Sequence, residues 1–197
     1  VSQLVLLDSN FDAMPKVLAE GRRTINNIER SATLFLVKTI YSSILSVLFI
    51  FLPFSYPFMP IQMSLTSMFT IGIPSFVLAL EPNKELVKGN FLTNVLKRAF
   101  PAALAIVLHI VLIASLSPVF HLTEAETSTL CVFTIGYIGF LLLYNICKPF
   151  NTIRKCLYGF LVIGYILGFI VFRDLYSLAH LNLKLLFFMG VIMLLGF

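Results

Sequence analysis

Long apolar runs separated by short polar segments dominate this chain. An α-helix rises about 1.5 Å per residue, so about 20 apolar residues cross a hydrocarbon core. Six runs approach that length, at residues 31–52, 61–80, 101–120, 130–147, 156–172 and 185–197. They lack the period-two alternation of a membrane barrel. The pattern predicts an all-α polytopic membrane protein with a six-helix transmembrane bundle, in which the short last helix is expected to be cut off by the end of the chain.

The residues before the first run have a different pattern. Val1–Leu7 has enough alternating apolar residues for a strand, residues 8–10 suit a turn and an N-cap, and helical spacing starts at Phe11. Pro15 suits an early helical turn. No helix breaker follows Gly21, so we expect a strand–helix remnant of a cytoplasmic α/β domain whose helix continues into the first run. An amphipathic helix lying on anionic lipid is the alternative.

Composition excludes most soluble classes. Hydrophobic residues make up 59% and charged residues 12% of the chain, and the mean hydropathy is +0.97, whereas about a quarter of the residues are charged in a typical soluble domain. The net charge of +5 is spread over separate loops. Because no aromatic stacking platform accompanies these cations, no nucleic-acid partner is predicted.

The cations also predict an orientation, because short cytoplasmic loops retain Lys and Arg. They precede the first run, separate the second from the third, and separate the fourth from the fifth. These groups are Arg22, Arg23 and Arg30; Lys84, Lys88, Lys97 and Arg98; and Lys148, Arg154 and Lys155. The alternate loops hold no charge at 53–60, then Glu124 and Glu126, and later Arg173, Asp174 and Lys184. We therefore expect a multi-pass protein of the cell membrane with a cytoplasmic amino end.

Several short motifs follow one another in the first half of the chain. They are Leu6-Leu7-Asp8-Ser9-Asn10-Phe11, Glu20-Gly21-Arg22, Asn26-Asn27, Pro60-Ile61-Gln62 and Gly72-Ile73-Pro74. This order resembles the end of the phosphorylation domain and the fifth and sixth membrane helices of calcium-type P-type cation-transporting ATPases. The later runs agree with that family in number and orientation. The resemblance implies that residues 1–24 end a cytoplasmic phosphorylation domain and that residues 25–197 form membrane helices five to ten.

The resemblance also implies an activity for the full-length protein. Such a pump hydrolyses ATP with Mg²⁺ through an aspartyl-phosphate and moves a cation, for which Ca²⁺ is the first candidate. The family's Asp-Lys-Thr-Gly-Thr and Thr-Gly-Glu motifs are absent from these residues, so we expect no catalytic residue and no bound cofactor in this segment. The chain starts at Val1 without a cleavable signal and is expected to continue a longer protein. The expected partners are the lipid bilayer, the transported cation and the upstream ATPase domains of the same polypeptide.

The second run contains a helix interruption. Pro74 has no N–H and frees a carbonyl near Thr70, while Gly72 precedes it by two residues. Freed carbonyls and hydroxyls are suitable ligands for hard cations. The interruption is thus a candidate part of a cation site, with an ordinary proline kink as the alternative.

Position by position, the resemblance transfers the family's cation ligands to few oxygen-bearing residues. The fifth-helix pair falls on Thr39 and Ser42, and the sixth-helix set falls on Ser67, Thr70 and Ile71. We expect Thr39 and Thr70 to face each other. None of the six runs contains Asp or Glu, so a divalent cation would need carboxylates from an upstream helix.

Lys38 is the one charged side chain deep within a run. An ammonium group there costs about 3 kcal/mol on insertion scales, so it usually has a partner or a role. Our hypothesis is a built-in counter-cation that pairs with an upstream carboxylate after the transported ion has left. The alternative is that its long side chain extends along the helix toward Ser31 and the interface.

Other residues give weaker signals. His109 is expected to be a packed or hydrogen-bonded histidine, and the spacing of the cysteines predicts neither a disulfide nor zinc. Two other functions are compatible with the runs. One is a self-contained helical permease or assembly subunit that uses no ATP, and the other is a lipid or polyamine transporter of the P-type family.

Overall fold

The computed structural model describes residues 11–83 and 85–195, and all regular elements among them are helices. A short 3₁₀ turn, Phe11–Ala13, precedes the first helix, and a π-helical segment, Met68–Gly72, joins the second to the third. The α-helices are α1 (Met14–Phe51), α2 (Pro60–Ser67), α3 (Ile73–Leu80), α4 (Phe91–Leu116), α5 (Glu124–Ile146), α6 (Thr152–Val171) and α7 (Leu183–Leu195). Five helical stretches of the described chain are long and apolar enough to cross a membrane, and α7 is a shorter apolar helix. The predicted helical membrane architecture is therefore confirmed.

Helix α1 is a continuous rod of 38 residues. Pro15 lies in its first turn, where a missing N–H costs no helical hydrogen bond, and the helix passes Arg30 without a break. At about 1.5 Å per residue it is about 57 Å long, far longer than the ~30 Å hydrocarbon core. The expected continuation of this helix into the first run is confirmed, whereas the described residues form no strand–helix remnant of a cytoplasmic α/β domain. The predicted strand at Val1–Leu7 lies outside the described residues.

The third predicted run, 101–120, was placed too late in the sequence. Helix α4 begins at Phe91 and includes Pro101 in its interior. The charges of Lys97 and Arg98 end the apolar run but not the helix, since Lys and Arg are good helix formers.

The loops of the bundle meet at two opposite ends. At the end nearer the amino terminus, Asn27 and Arg30 of α1 bond the residues after α3, and Asn151 before α6 bonds the same segment. At the opposite end, Gln62 bonds Ser177 at 3.0 Å. Successive spans therefore alternate in direction, and the three cation-rich segments converge on one end.

Helix α5 lies at the centre of the bundle and contacts every other span. A capping box fixes its start, because Thr123 accepts from the Glu126 amide while the Glu126 side chain accepts from the Thr123 amide. Fourteen of its residues are buried, whereas the outer helices expose large apolar side chains such as Phe160 and Ile163. An apolar outer surface around a buried helix is the arrangement expected of a bundle in lipid.

Candidate cation site

The second span changes helical register at its middle. In the π segment the Ile73 amide donates to the Met68 carbonyl, five residues back. Pro74, in the first turn of α3, has no amide hydrogen to donate. In an unbroken α-helix these two residues would donate to the carbonyls of Phe69 and Thr70. Both carbonyls therefore lack the amide donors of a regular helix, and π segments of this kind are frequent at functional sites.

Two glycines let neighbouring helices approach this interruption closely. A Cβ at Gly139 of α5 would lie 3.0 Å from Thr70 Cγ2, and one at Gly164 of α6 would lie 2.6 Å from Cε1 of the Phe69 ring. The second distance is shorter than real Cβ contacts. The π segment is thus held between α5 and α6 at positions where larger residues would displace it.

Lys38 of α1 reaches across to this span. Its Nζ donates to Ser67 Oγ at 2.8 Å, and the two side chains line a cavity of about 20 Å³ together with Thr66 and Thr70. The other lining residues are apolar, apart from the Tyr41 hydroxyl and Gly139. The ion pairs among the described residues do not include Lys38. A half-buried ammonium group is therefore held there by a neutral hydroxyl.

The structure brings together some of the predicted site residues and separates others. Lys38, Ser67 and Thr70 share the cavity. Thr39 is exposed and its hydroxyl donates back to the Phe35 carbonyl at 3.3 Å, so the expected approach of Thr39 to Thr70 is not seen. Consecutive residues are about 100° apart around a helix, and on α1 Lys38 rather than Thr39 has the inward position.

The remaining predicted residues lie outside the cavity. Ser42 is half-buried, Gly72 is exposed and Pro74 is buried, and none of these three residues lines the cavity. Residue-by-residue reasoning missed Thr66, which is buried, lines the cavity and carries a hydroxyl with no hydrogen-bond partner among the described residues. The signal that could have found it is its spacing of four residues from Thr70.

A buried ionic cluster lies at the end of the bundle nearer the amino terminus. Both oxygens of Glu81 accept from Arg154 Nε at 2.9 Å, and Oε2 also lies 3.3 Å from Arg30 Nη1. All three residues are 6% exposed. Asn151 donates to the same carboxylate. One carboxylate therefore binds two guanidinium groups, and the cluster joins α1, the end of α3 and the start of α6.

Hydrogen bonds from side chains to backbone carbonyls extend this cluster. Asn27 donates to the carbonyls of Ala79 and Glu81 at 3.1 and 2.8 Å, and Arg154 donates to the carbonyls of Cys147 and Pro149. In the sequence Arg30 and Arg154 gave only an orientation signal, and Glu81 gave none. Glu81 lies 51 residues after Arg30 and 73 residues before Arg154, so sequence spacing does not reveal the cluster.

Known proteins match most of this chain. The chain is 38% identical over 174 residues to the probable cation-transporting ATPase exp7 of Streptococcus pneumoniae, covering 84% of this chain and 22% of that protein. It is 34% identical over 203 residues to the calcium-transporting ATPase CtpE of Mycolicibacterium smegmatis, covering 93% of this chain and 25% of that protein. This chain belongs to the cation-transporting P-type ATPases. No family model matches it.

A third relative adds a shorter match within the same pump family. The chain is 44% identical over 116 residues to the calcium-transporting ATPase CtpE of Mycobacterium tuberculosis, covering 54% of this chain and 15% of that protein. The chain spans about a quarter of the length of the first two relatives. Its apolar helices fit the membrane domain of a pump of this family.

Proposed function

We propose that this chain forms the ion-translocation helices of an ATP-driven cation pump, with Ca²⁺ as the first candidate for the transported ion. The observation that carries the proposal is the interrupted span, where the carbonyls of Phe69 and Thr70 lack their helical donors beside the Lys38 cavity. The names of the CtpE relatives support Ca²⁺. Membership of the pump family favours this function over a self-contained permease that uses no ATP.

The cation would be held by oxygen atoms from two sources. Hard cations prefer oxygen ligands, and the interrupted span offers two carbonyls and the Thr70 hydroxyl, which donates to the Thr66 carbonyl and keeps its lone pairs free to accept. The negative charge would come from a carboxylate on an upstream helix. We assign Lys38 the role of counter-cation, bonded to Ser67 while the ion is bound and paired with that carboxylate after the ion leaves.

The long helix would couple this site to ATP hydrolysis. We place the amino end in the cytoplasm and assign residues 1–24 to the end of the phosphorylation domain, with residues 25–197 as the membrane domain. Since α1 is continuous from Met14 to Phe51, a tilt of its cytoplasmic part moves Lys38 relative to the interrupted span. The Glu81 cluster would carry the same movement to α6.

Mg²⁺ and ATP do not fit the residues described here. No group of three or more His, Cys, Asp or Glu among them could hold a metal ion, and the buried carboxylate of Glu81 is already neutralised by two arginines. We therefore assign Mg²⁺ and ATP to upstream domains of the same polypeptide.

Cation-stimulated ATP hydrolysis by the full-length protein in lipid vesicles tests this function. Hydrolysis is measured with Ca²⁺, Mg²⁺, Mn²⁺, K⁺ and polyamines, each added over a range of concentrations. We expect Ca²⁺ to stimulate the wild type, and Thr70→Val to raise the half-maximal Ca²⁺ concentration at least tenfold. Thr93→Val, at an exposed position of α4, should leave it unchanged. Stimulation by polyamines alone would overturn the choice of ion, and no stimulation by any cation would overturn the pump.

A further inference from the structure

A large cleft opens at the end of the bundle opposite the amino terminus. It has a volume of about 720 Å³ and lies between the 53–59 loop, the turn between α4 and α5, and Ser177. Its walls include the hydroxyls of Ser117 and Thr127 and the exposed carboxylate of Glu124. The rest of the lining is mainly apolar. A cleft of this size has room for many water molecules, which would bind its few polar groups, and the Glu124 carboxylate favours cations there.

Gln62 closes the inner side of this cleft. The side chain is only 1% exposed and ties three parts of the fold together. Its amide oxygen accepts from Ser128 Oγ at 2.6 Å and from the Met59 amide at 3.0 Å, and its Nε2 donates to the Ser177 carbonyl at 3.0 Å. Ser177 has a φ of 51°, a conformation that non-glycine residues seldom adopt. The hydrogen bonds of the Gln62 side chain to Met59, Ser128 and Ser177 thus close the inner side of the cleft.

Polar residues continue inward from Gln62 along one face of the span. Thr66 and Thr70 follow at spacings of four residues, which places the three on the same helical face. All three are buried, and both threonines also line the Lys38 cavity. The Tyr165 hydroxyl lies near Thr66 but donates to the Val132 carbonyl at 3.2 Å. Apart from this contact with Tyr165, the Thr66 hydroxyl has no hydrogen-bond partner among the described residues, and it can therefore bind a passing ligand.

We propose that Gln62 is the gate between the Lys38 cavity and the cleft, and that a hydrated cation leaves the protein past Thr66 and Gln62 through the cleft. The inference rests on the proposed pump function and adds the route and the residue that controls it. In the structure described here the gate is closed, because Gln62 keeps its contacts to Ser128 and Ser177. Release of those contacts joins the two cavities along the Gln62–Thr66–Thr70 face.

Accessibility of an introduced cysteine tests the gate directly. The full-length pump with Cys156→Ser serves as the parent, and Thr66→Cys is added to it. A membrane-impermeant, positively charged thiol reagent is applied from the cleft side, to the resting protein and to the phosphorylated protein. We expect Thr66→Cys to react at least tenfold faster after phosphorylation. Thr134→Cys, a buried control on α5 that lines neither cavity, should react no faster than the parent in either state.

Variants of Gln62 and Ser128 test the gate independently of the proposed pump function. In the resting protein Gln62→Ala should make Thr66→Cys react at least tenfold faster without phosphorylation, and Ser128→Ala, which breaks one contact, should give a smaller increase. This arm needs no ATPase activity, so it tests the gate even if no cation stimulates hydrolysis. Equal labelling of Thr66→Cys in all variants and states, or equal labelling of the Thr134→Cys control, would overturn the proposal.

Discussion

Two of the contacts between α1 and the second span or its end involve charged side chains whose partners differ in kind. At Glu81 one carboxylate is shared by two guanidinium groups and an asparagine amide. At Lys38 an ammonium group has a single hydroxyl, that of Ser67. The Glu81 carboxylate thus has two oppositely charged partners, whereas the partner of the Lys38 ammonium group is neutral. The difference suggests a fixed joint at one end of the rod and an exchangeable contact in its middle.

Electrostatics determines how each of these two contacts affects the free energy of unfolding. A buried charge is tolerated when it is paired, and removing one partner of a buried pair leaves an uncompensated charge. A lysine within a membrane span without an acidic partner costs about 3 kcal/mol on insertion scales. We therefore expect Lys38 to lower the stability of the state described here, in agreement with the role in transport that we propose for it.

The largest predicted effect comes from breaking the fixed joint. Glu81→Gln leaves Arg30 and Arg154 buried beside each other without a carboxylate, and we expect a loss of about 3–5 kcal/mol in the free energy of unfolding. Thermal unfolding of the purified full-length protein measures it. Glu85→Gln, at an exposed position four residues later, removes a weaker interaction with Arg30 and should change stability by less than about 1 kcal/mol. Equal effects of the two variants would show that the cluster does not hold α1 to α3 and α6.

A smaller effect of opposite sign is expected at Lys38. In the presence of Ca²⁺, Lys38→Met removes an ammonium group whose partner is neutral and keeps a side chain of similar length. We expect the free energy of unfolding to rise by about 1–3 kcal/mol, whereas the exposed control Lys155→Met should leave it unchanged. A loss comparable with that of Glu81→Gln would mean that Lys38 is permanently ion-paired, and the contrast between the two regions would disappear.

The smallest effect concerns the packing that holds the interrupted span. In Gly139→Ala the new methyl group would lie 3.0 Å from Thr70 Cγ2, and we expect a loss of about 1 kcal/mol because the core must shift. At Gly159 of α6 no atom lies within 4 Å of an added Cβ, so Gly159→Ala should stabilise the helix by about 0.5–1 kcal/mol. Denaturant titrations of both variants measure the difference. Stabilisation by both would show that the close approach of α5 to Thr70 is not needed.

The helical spans could be predicted from the sequence because lipid demands long apolar helices, and Pro74 marked the interruption because its missing N–H is a local property. The inward direction of Lys38 could not be predicted. Neighbouring residues of α1 point about 100° apart, and the ligand pair that the resemblance implies starts at Thr39, one residue after Lys38. Glu81 was also missed. Its partners lie on α1 and α6, and only the folded bundle brings them together.

Decay of the phosphorylated enzyme in sealed vesicles tests whether Lys38 serves as an internal counter-cation beside the interrupted span. The full-length wild type, Lys38→Met and Lys155→Met are compared, while the pH on the cleft side of the membrane is varied. We predict that the wild type and Lys155→Met decay equally fast at all pH values tested. Lys38→Met should decay at least tenfold more slowly at high pH and recover as protons from the cleft side replace the missing ammonium group. Decay of Lys38→Met at the wild-type rate at every pH would show that Lys38 is not a counter-cation.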